Sequence, residues 1–235
     1  MKGPLFYSKI LLFGEYGIIE DSKGLSIPYN FFNGALKISE SSDEEAKKSN
    51  LILSQFSTHL KTLDIDLDLN SFDKHIKKGM YFDSSIPKGY GVGSSGALVA
   101  AVYEKYANNK ITVLENLTRE KLLVLKEIFS MMESFFHGKS SGLDPLNSYL
   151  SIPILIKSKN DINVTGIPSQ KSNGSGAVFL LDSGQTGSTA PMVNIFMEKM
   201  KKEGFRNMLN SQSVSYTHLR AHETVLDLVC RLLLE

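Results

Sequence analysis

The sequence predicts an α+β fold, and three observations carry that expectation. Short stretches rich in apolar and β-branched residues, 5–13, 31–39, 65–69 and 79–83, have the character of strands. Longer stretches at 50–63, 94–107, 118–136 and 144–150 have the character of helices. A glycine-rich turn, Pro87 to Ala97, leads into the second of those helices.

In chain order, the first strand carries Lys9 at the head of the apolar run KILLFGEYGII, which ends in Gly14, Glu15 and Tyr16. Residues 39–50, SESSDEEAKKSN, are polar and are expected as a surface loop. Ile65-Asp66-Leu67-Asp68-Leu69 alternates apolar and acidic residues, as a half-buried strand would. The helical stretch LLVLKEIFSMMESFF is strongly apolar, so an inward carboxylate at Glu133 would need a cation or hydrogen-bond donors. Beyond residue 151, SIPILIK and GAVFLLDSG read as two more strands, separated by a polar, turn-rich hairpin region from Ser158 to Ser175. Thr189 opens a helix that continues through Lys202, and internal repeats are absent.

Composition bounds the function. With 235 residues and 42% hydrophobic content, the chain can bury one large domain, or one and part of another. Its 26 basic and 25 acidic side chains leave a formal charge of +1, so nothing advertises nucleic acid or an acidic membrane as a partner. No apolar run approaches the ~18 residues of a membrane span, and no signal-peptide pattern opens the chain. A single cysteine, Cys230, forms no intramolecular disulfide, and a reducing, cytoplasmic location is expected.

The glycine-rich turn is the most informative stretch. A chain that turns tightly and then starts a helix gathers free backbone N–H groups and the positive end of the helix dipole, which suits phosphate. Gly91, Gly93 and Gly96 would admit phosphate oxygens closely and allow positive φ, and Ser94 and Ser95 could cap the helix or hold a hard cation. The G-x-G-x-x-G spacing alone also fits dinucleotide folds and ordinary helix starts. Ser84-Ser85-Ile86-Pro87-Lys88 is a poor match to the apolar strand that precedes a dinucleotide loop. Gly138-Lys139-Ser140 fails as an ATP P-loop because Glu133 stands where that loop needs glycine. Zinc is disfavoured too, since Glu133 and His137 lack a second clustered histidine, and His137 reads as a helix-end imidazole.

Two further blocks decide between these readings: the Lys9 to Glu15 region, and ESFFHGKSSGLDP with Glu133 and Asp144. In this order the three blocks resemble the GHMP small-molecule kinases, and the middle block is most similar to the mevalonate kinases among them. The resemblance covers roughly residues 5–210. It implies the ribosomal-protein-like α+β N-terminal domain of those kinases over residues 1–150 and the start of an incomplete C-terminal α+β domain over 151–212.

The activity so implied is transfer of the ATP γ-phosphoryl group to an alcohol, with mevalonate as the first expectation and phosphomevalonate or homoserine as alternatives. Such a site needs a phosphate cradle, a divalent cation, a cationic side chain and an acceptor for the hydroxyl proton. By resemblance, Gly91, Gly93, Ser94, Ser95 and Gly96 would bind ATP, and Ser95 and Glu133 would hold Mg²⁺. Asp144 would accept the proton beside Lys9, while Glu15, Tyr16 and Thr189 would lie at the substrate. A helix-capping role for Thr189 is an equal expectation. The resemblance also allows a homodimer.

Three departures bear on these expectations. Tyr16 stands where many members have histidine, and Tyr7-Ser8-Lys9 replaces their Pro-Gly-Lys. The family's third, glycine-rich motif is missing, because the resemblance ends near Asn210 or Gln212. Residues 213–235, SVSYTHLRAHETVLDLVCRLLLE, are read as a translated adapter or vector tail in preference to a docking helix with a Leu219, Leu226, Val229 and Leu233 stripe. A non-catalytic fragment is the alternative to an active kinase.

Overall fold

The computed structural model describes residues 4–14, 17–20, 23–38, 43–112, 117–165, 181, 184, 186–187 and 189–220. One antiparallel sheet organises them. Strand β1 (Phe6–Phe13) pairs with the long β2 (Gly24–Ile38) after a short 3-10 turn at Gly17–Glu20. On the opposite side of β2, β3 (Met80–Ser84) pairs with one end and β4 (Ile154–Ser158) with the other, and β5 (Asp161–Val164) extends the sheet from β4. Pro28 falls where β2 has neither β3 nor β4 beside it among the described strands, so its missing N–H breaks no ladder bond there.

Five helices pack with the sheet: α1 (Glu44–Leu60), α2 (Leu69–Lys77), α3 (Ser94–Tyr106), α4 (Arg119–His137) and α5 (Leu143–Leu150). Helix α3 is buried from Gly96 through Tyr103 without a polar face, which is the signature of a central helix. It contacts β1 and β2 on one side and α2, α4 and α5 around it. Leu53, Phe56, Phe72, Val99, Leu125, Phe129, Met132 and Leu146 are fully buried in the resulting core. Each such aliphatic or aromatic side chain contributes about 1.5–3 kcal/mol of hydrophobic stabilisation. Tyr103, Phe129 and Tyr149 meet edge to face across α3, α4 and α5, which fixes the relative placement of these helices.

Two expected elements differ from what forms. The alternating stretch 65–69 makes only an isolated bridge, Leu67 to Ala107. Asp66 instead accepts the side-chain amides of Asn108 and Asn109 at 2.7 and 2.8 Å, and Asp68 caps α2 by accepting the Ser71 N–H at 3.0 Å. The polar stretch 39–50 is helical from Glu44, because Asp43 accepts the Glu45 N–H at 3.1 Å and two glutamates follow in the first turn.

Beyond β5, the stretch 166–180, with most of the expected strand GAVFLLDSG, lies outside the described residues. The partner of β4 is β5, inside the region expected to be turn-rich. Helix α6 (Thr189–Met200) starts where the sequence places it, and α7 (Glu203–Arg220) runs across the expected boundary at residue 212. Among the described residues no helix is long and apolar enough to cross a membrane.

Candidate active site

Helices α3 and α5 begin alike. Each has a glycine at its N-cap in left-handed geometry, Gly93 with φ +83° and Gly142 with φ +73°, and neither has a side-chain cap. The expected capping role of Ser94 and Ser95 is therefore not what forms: both lie inside the first turn of α3. Gly96 is the contact point between the two helices. A Cβ there would come within 2.7 Å of the Asp144 carbonyl carbon and 2.8 Å of the Pro145 nitrogen, so only glycine lets the first turns meet. Its requirement is thus helix packing, in addition to the phosphate approach expected of it. Gly91, by contrast, has open space around it and φ +70°.

Lys9 enters from β1. Its backbone N–H donates to the Val92 carbonyl at 3.0 Å, which docks the glycine-rich turn against the strand. A Cβ on Gly93 would reach within 3.0 Å of Lys9 Cγ, so the left-handed glycine also clears the path of the lysine stem. The Lys9 side chain is almost wholly buried, and its Nζ lies 3.0 Å from Asp144 Oδ1, whose carboxylate is partly open to solvent.

Glu133 occupies the last turns of α4 and is 3% exposed. Its Oε1 accepts from Ser95 Oγ at 3.0 Å and its Oε2 accepts from Ser140 Oγ. Burial, and then the nearby Asp144 charge, push the Glu133 carboxyl up to about 7, against the opposing pull of Ser140, Ser95 and Lys9. His137, one turn further along α4, places Nε2 3.0 Å from Ser95 Oγ.

The arrangement fits a hard divalent cation. Among the described residues no group of three or more His, Cys, Asp or Glu side chains could hold a metal alone. Ser95 and Glu133 offer two adjacent hard oxygens beside the uncapped start of α3. This is the sparse protein contribution that Mg²⁺ takes when phosphates and water complete its shell. The amides of the first turn of α3, with its dipole, suit the phosphates themselves.

Of the residues singled out in the sequence, Lys9, Gly93, Ser94, Ser95, Gly96, Glu133 and Asp144 converge here. Gly91 lies in the approach to α3. Glu15 and Tyr16 lie outside the described residues, as does the side chain of Thr189, whose backbone opens α6. Two residues at the site carried no such expectation: Ser140, and His137, which had been read only as a helix-end imidazole. The signal available for His137 was its spacing of four from Glu133 on one helix, which places both on the same face.

The site thus consists of a central helix launched from a glycine-rich turn and facing a lysine, a buried glutamate and an aspartate. The family profile described as GHMP kinases N terminal domain matches residues 55–151. Among solved structures, it is similar to the mevalonate kinase of L. major in complex with R-mevalonate, with TM-score 0.55 and 18% identity over 94% of this chain and 71% of that one. It is also similar to the Methanococcus jannaschii mevalonate kinase, with TM-score 0.56 and 16% identity over 95% of this chain and 74% of that one. A further mevalonate kinase structure matches with TM-score 0.53 and 17% identity over 91% of this chain and 71% of that one. No curated protein matches the sequence closely enough to add to these.

Proposed function

We propose that this chain is the catalytic part of an ATP-dependent small-molecule kinase that phosphorylates an alcohol, with mevalonate as the acceptor to test first. The observation that carries the reading is the Lys9–Asp144 ion pair set beside the Ser95–Glu133 pair, at the meeting point of two glycine-started helices. Asp144 Oδ accepts the acceptor hydroxyl proton as the oxygen bonds to the γ-phosphorus and the bond to the bridging oxygen of ADP breaks. Lys9 stabilises the charge that develops on the attacking oxygen. The α3 amides would hold the phosphates, and Ser95 and Glu133 would hold the cation. Bound Mg²⁺ would neutralise phosphate charge.

Mevalonate is favoured because the similar structures named above are mevalonate kinases, one of them solved with R-mevalonate. Tyr16, in place of the histidine of many members, is the reason to test phosphomevalonate and homoserine alongside. A coupled ADP-release assay with each alcohol tests the choice, and turnover of another acceptor with none of mevalonate would overturn it. The reading also takes the enzyme to be cytoplasmic and compatible with a homodimer. The second reading is a non-catalytic fragment that binds nucleotide poorly. Calorimetry with Mg-ATP separates the two, since a working cradle binds nucleotide and a broken one does not.

A further inference from the structure

Ser140 does more than turn the chain between α4 and α5. Its hydroxyl donates to Glu133 Oε2 while accepting the Gly142 N–H at 3.0 Å, and its carbonyl accepts from Ser130 Oγ at 2.6 Å. The two oxygens of Glu133 are thereby distinguished: Oε2 is anchored to this turn, and Oε1 points to Ser95 on the first turn of α3. The terminal torsion of a glutamate is broad, so a carboxylate without such an anchor would sample many orientations. The same serine also holds the N-cap glycine of α5, two residues before Asp144.

We propose that Ser140 is a positioning residue of the cation site: by holding Oε2 it aims Oε1 at the position shared with Ser95, and it ties that aim to the helix that carries Asp144. The inference rests on the kinase reading above. Groups that orient a metal ligand without touching the metal commonly govern affinity by 10–100-fold, which is the scale expected here. A role limited to closing the turn would leave the cation site as it was.

The test is Mn²⁺ binding in the presence of ATP, followed by electron paramagnetic resonance, for wild type, Ser140→Ala, Ser140→Cys and Ser140→Thr. The half-saturating Mn²⁺ concentration rises about tenfold or more in Ser140→Ala. It rises less in Ser140→Cys, whose thiol is a weak donor, and it returns close to wild type in Ser140→Thr, which keeps the hydroxyl. ATP affinity without metal stays the same. Unchanged Mn²⁺ affinity in Ser140→Ala, with only a lowered Tm, overturns the proposal. If that variant does not fold, unchanged affinity in Ser140→Cys overturns it equally. A wild-type protein with no ATP-dependent Mn²⁺ binding is a different pattern, and it removes the kinase reading together with this inference.

Discussion

Lys9 Nζ lies 3.0 Å from Asp144 Oδ1, joining the first strand to the last helix of the α3–α5 layer at the mouth of the site. The lysine is nearly buried and the aspartate is not, so the pair is fixed from the protein side and open on the side from which an acceptor would come. Asp144→Asn keeps the shape and removes the group proposed to accept the hydroxyl proton. Turnover is expected to fall by about 10²–10⁴-fold with little change in ATP affinity. Steady-state kinetics with a calorimetric ATP titration checks this, and wild-type turnover would take Asp144 out of the mechanism.

Glu133 makes stability pH-dependent in a defined direction. Its carboxyl titrates near 7 in the folded protein, against an ordinary value of 4.5. Between those values the folded state keeps a proton that the unfolded state has released, so stability falls as pH rises through the interval and the cost persists above it. Glu133→Gln cannot ionise. Without metal it should be more stable than wild type at about pH 8, by up to roughly 3 kcal/mol, and equal to it near the ordinary carboxylate value. Thermal unfolding in chelator at both pH values measures the difference, and an equal gain at both would show that ionisation is not its source.

The same variant should need more Mg²⁺ for activity, because it offers the cation a weaker, neutral oxygen. A titration of Mg²⁺ at fixed ATP reads this directly. An unaltered half-saturating concentration would return Glu133 to a structural role.

Two glycines of the same turn should respond unequally to alanine. At Gly91 the added methyl meets nothing, so the cost is the left-handed backbone alone, about 1–2 kcal/mol. At Gly96 it meets the Asp144 and Pro145 backbone at 2.7 and 2.8 Å, which neither helix can yield without moving the other. Gly96→Ala should cost more and lower turnover as well, since it displaces Asp144. Urea unfolding of both variants decides, and a larger loss for Gly91→Ala would contradict the helix contact.

Asp43→Ala should destabilise the protein by about 0.5–2 kcal/mol through the frayed start of α1. Native-state hydrogen exchange in residues 44–47 checks the location of the effect, and unchanged protection there would mean that the cap contributes nothing.

Much of the site was legible because its chemistry sits in dense local patterns. The glycine run before an apolar helix, and a carboxylate inside an otherwise apolar helix, both announce themselves in one dimension. What escaped was longer range. Gly96 reads as a phosphate glycine until Asp144 is seen against it, and Ser140 reads as a loop serine until Glu133 is. The fold followed the same division. Long apolar helices at α3 and α4 were recognised within a residue or so of their ends, while 65–69 was misread because alternation on a short segment does not show whether a neighbouring strand exists to pair with it. The start of α1 was hidden by its polarity, although Asp43 followed by two glutamates is itself a starting signal.

The docking of β1 against the glycine-rich turn has a consequence for how the molecule comes into being. Lys9 leaves the ribosome early and Asp144 late, and the Val92 carbonyl that fixes the lysine backbone emerges between them. During synthesis the chain therefore passes through an interval in which the first strand and the glycine-rich turn have been made and Asp144 has not. A nascent chain released in that interval would hold its lysine without the aspartate that partners it, and closure of this distant pair belongs to the slower, non-local phase of folding.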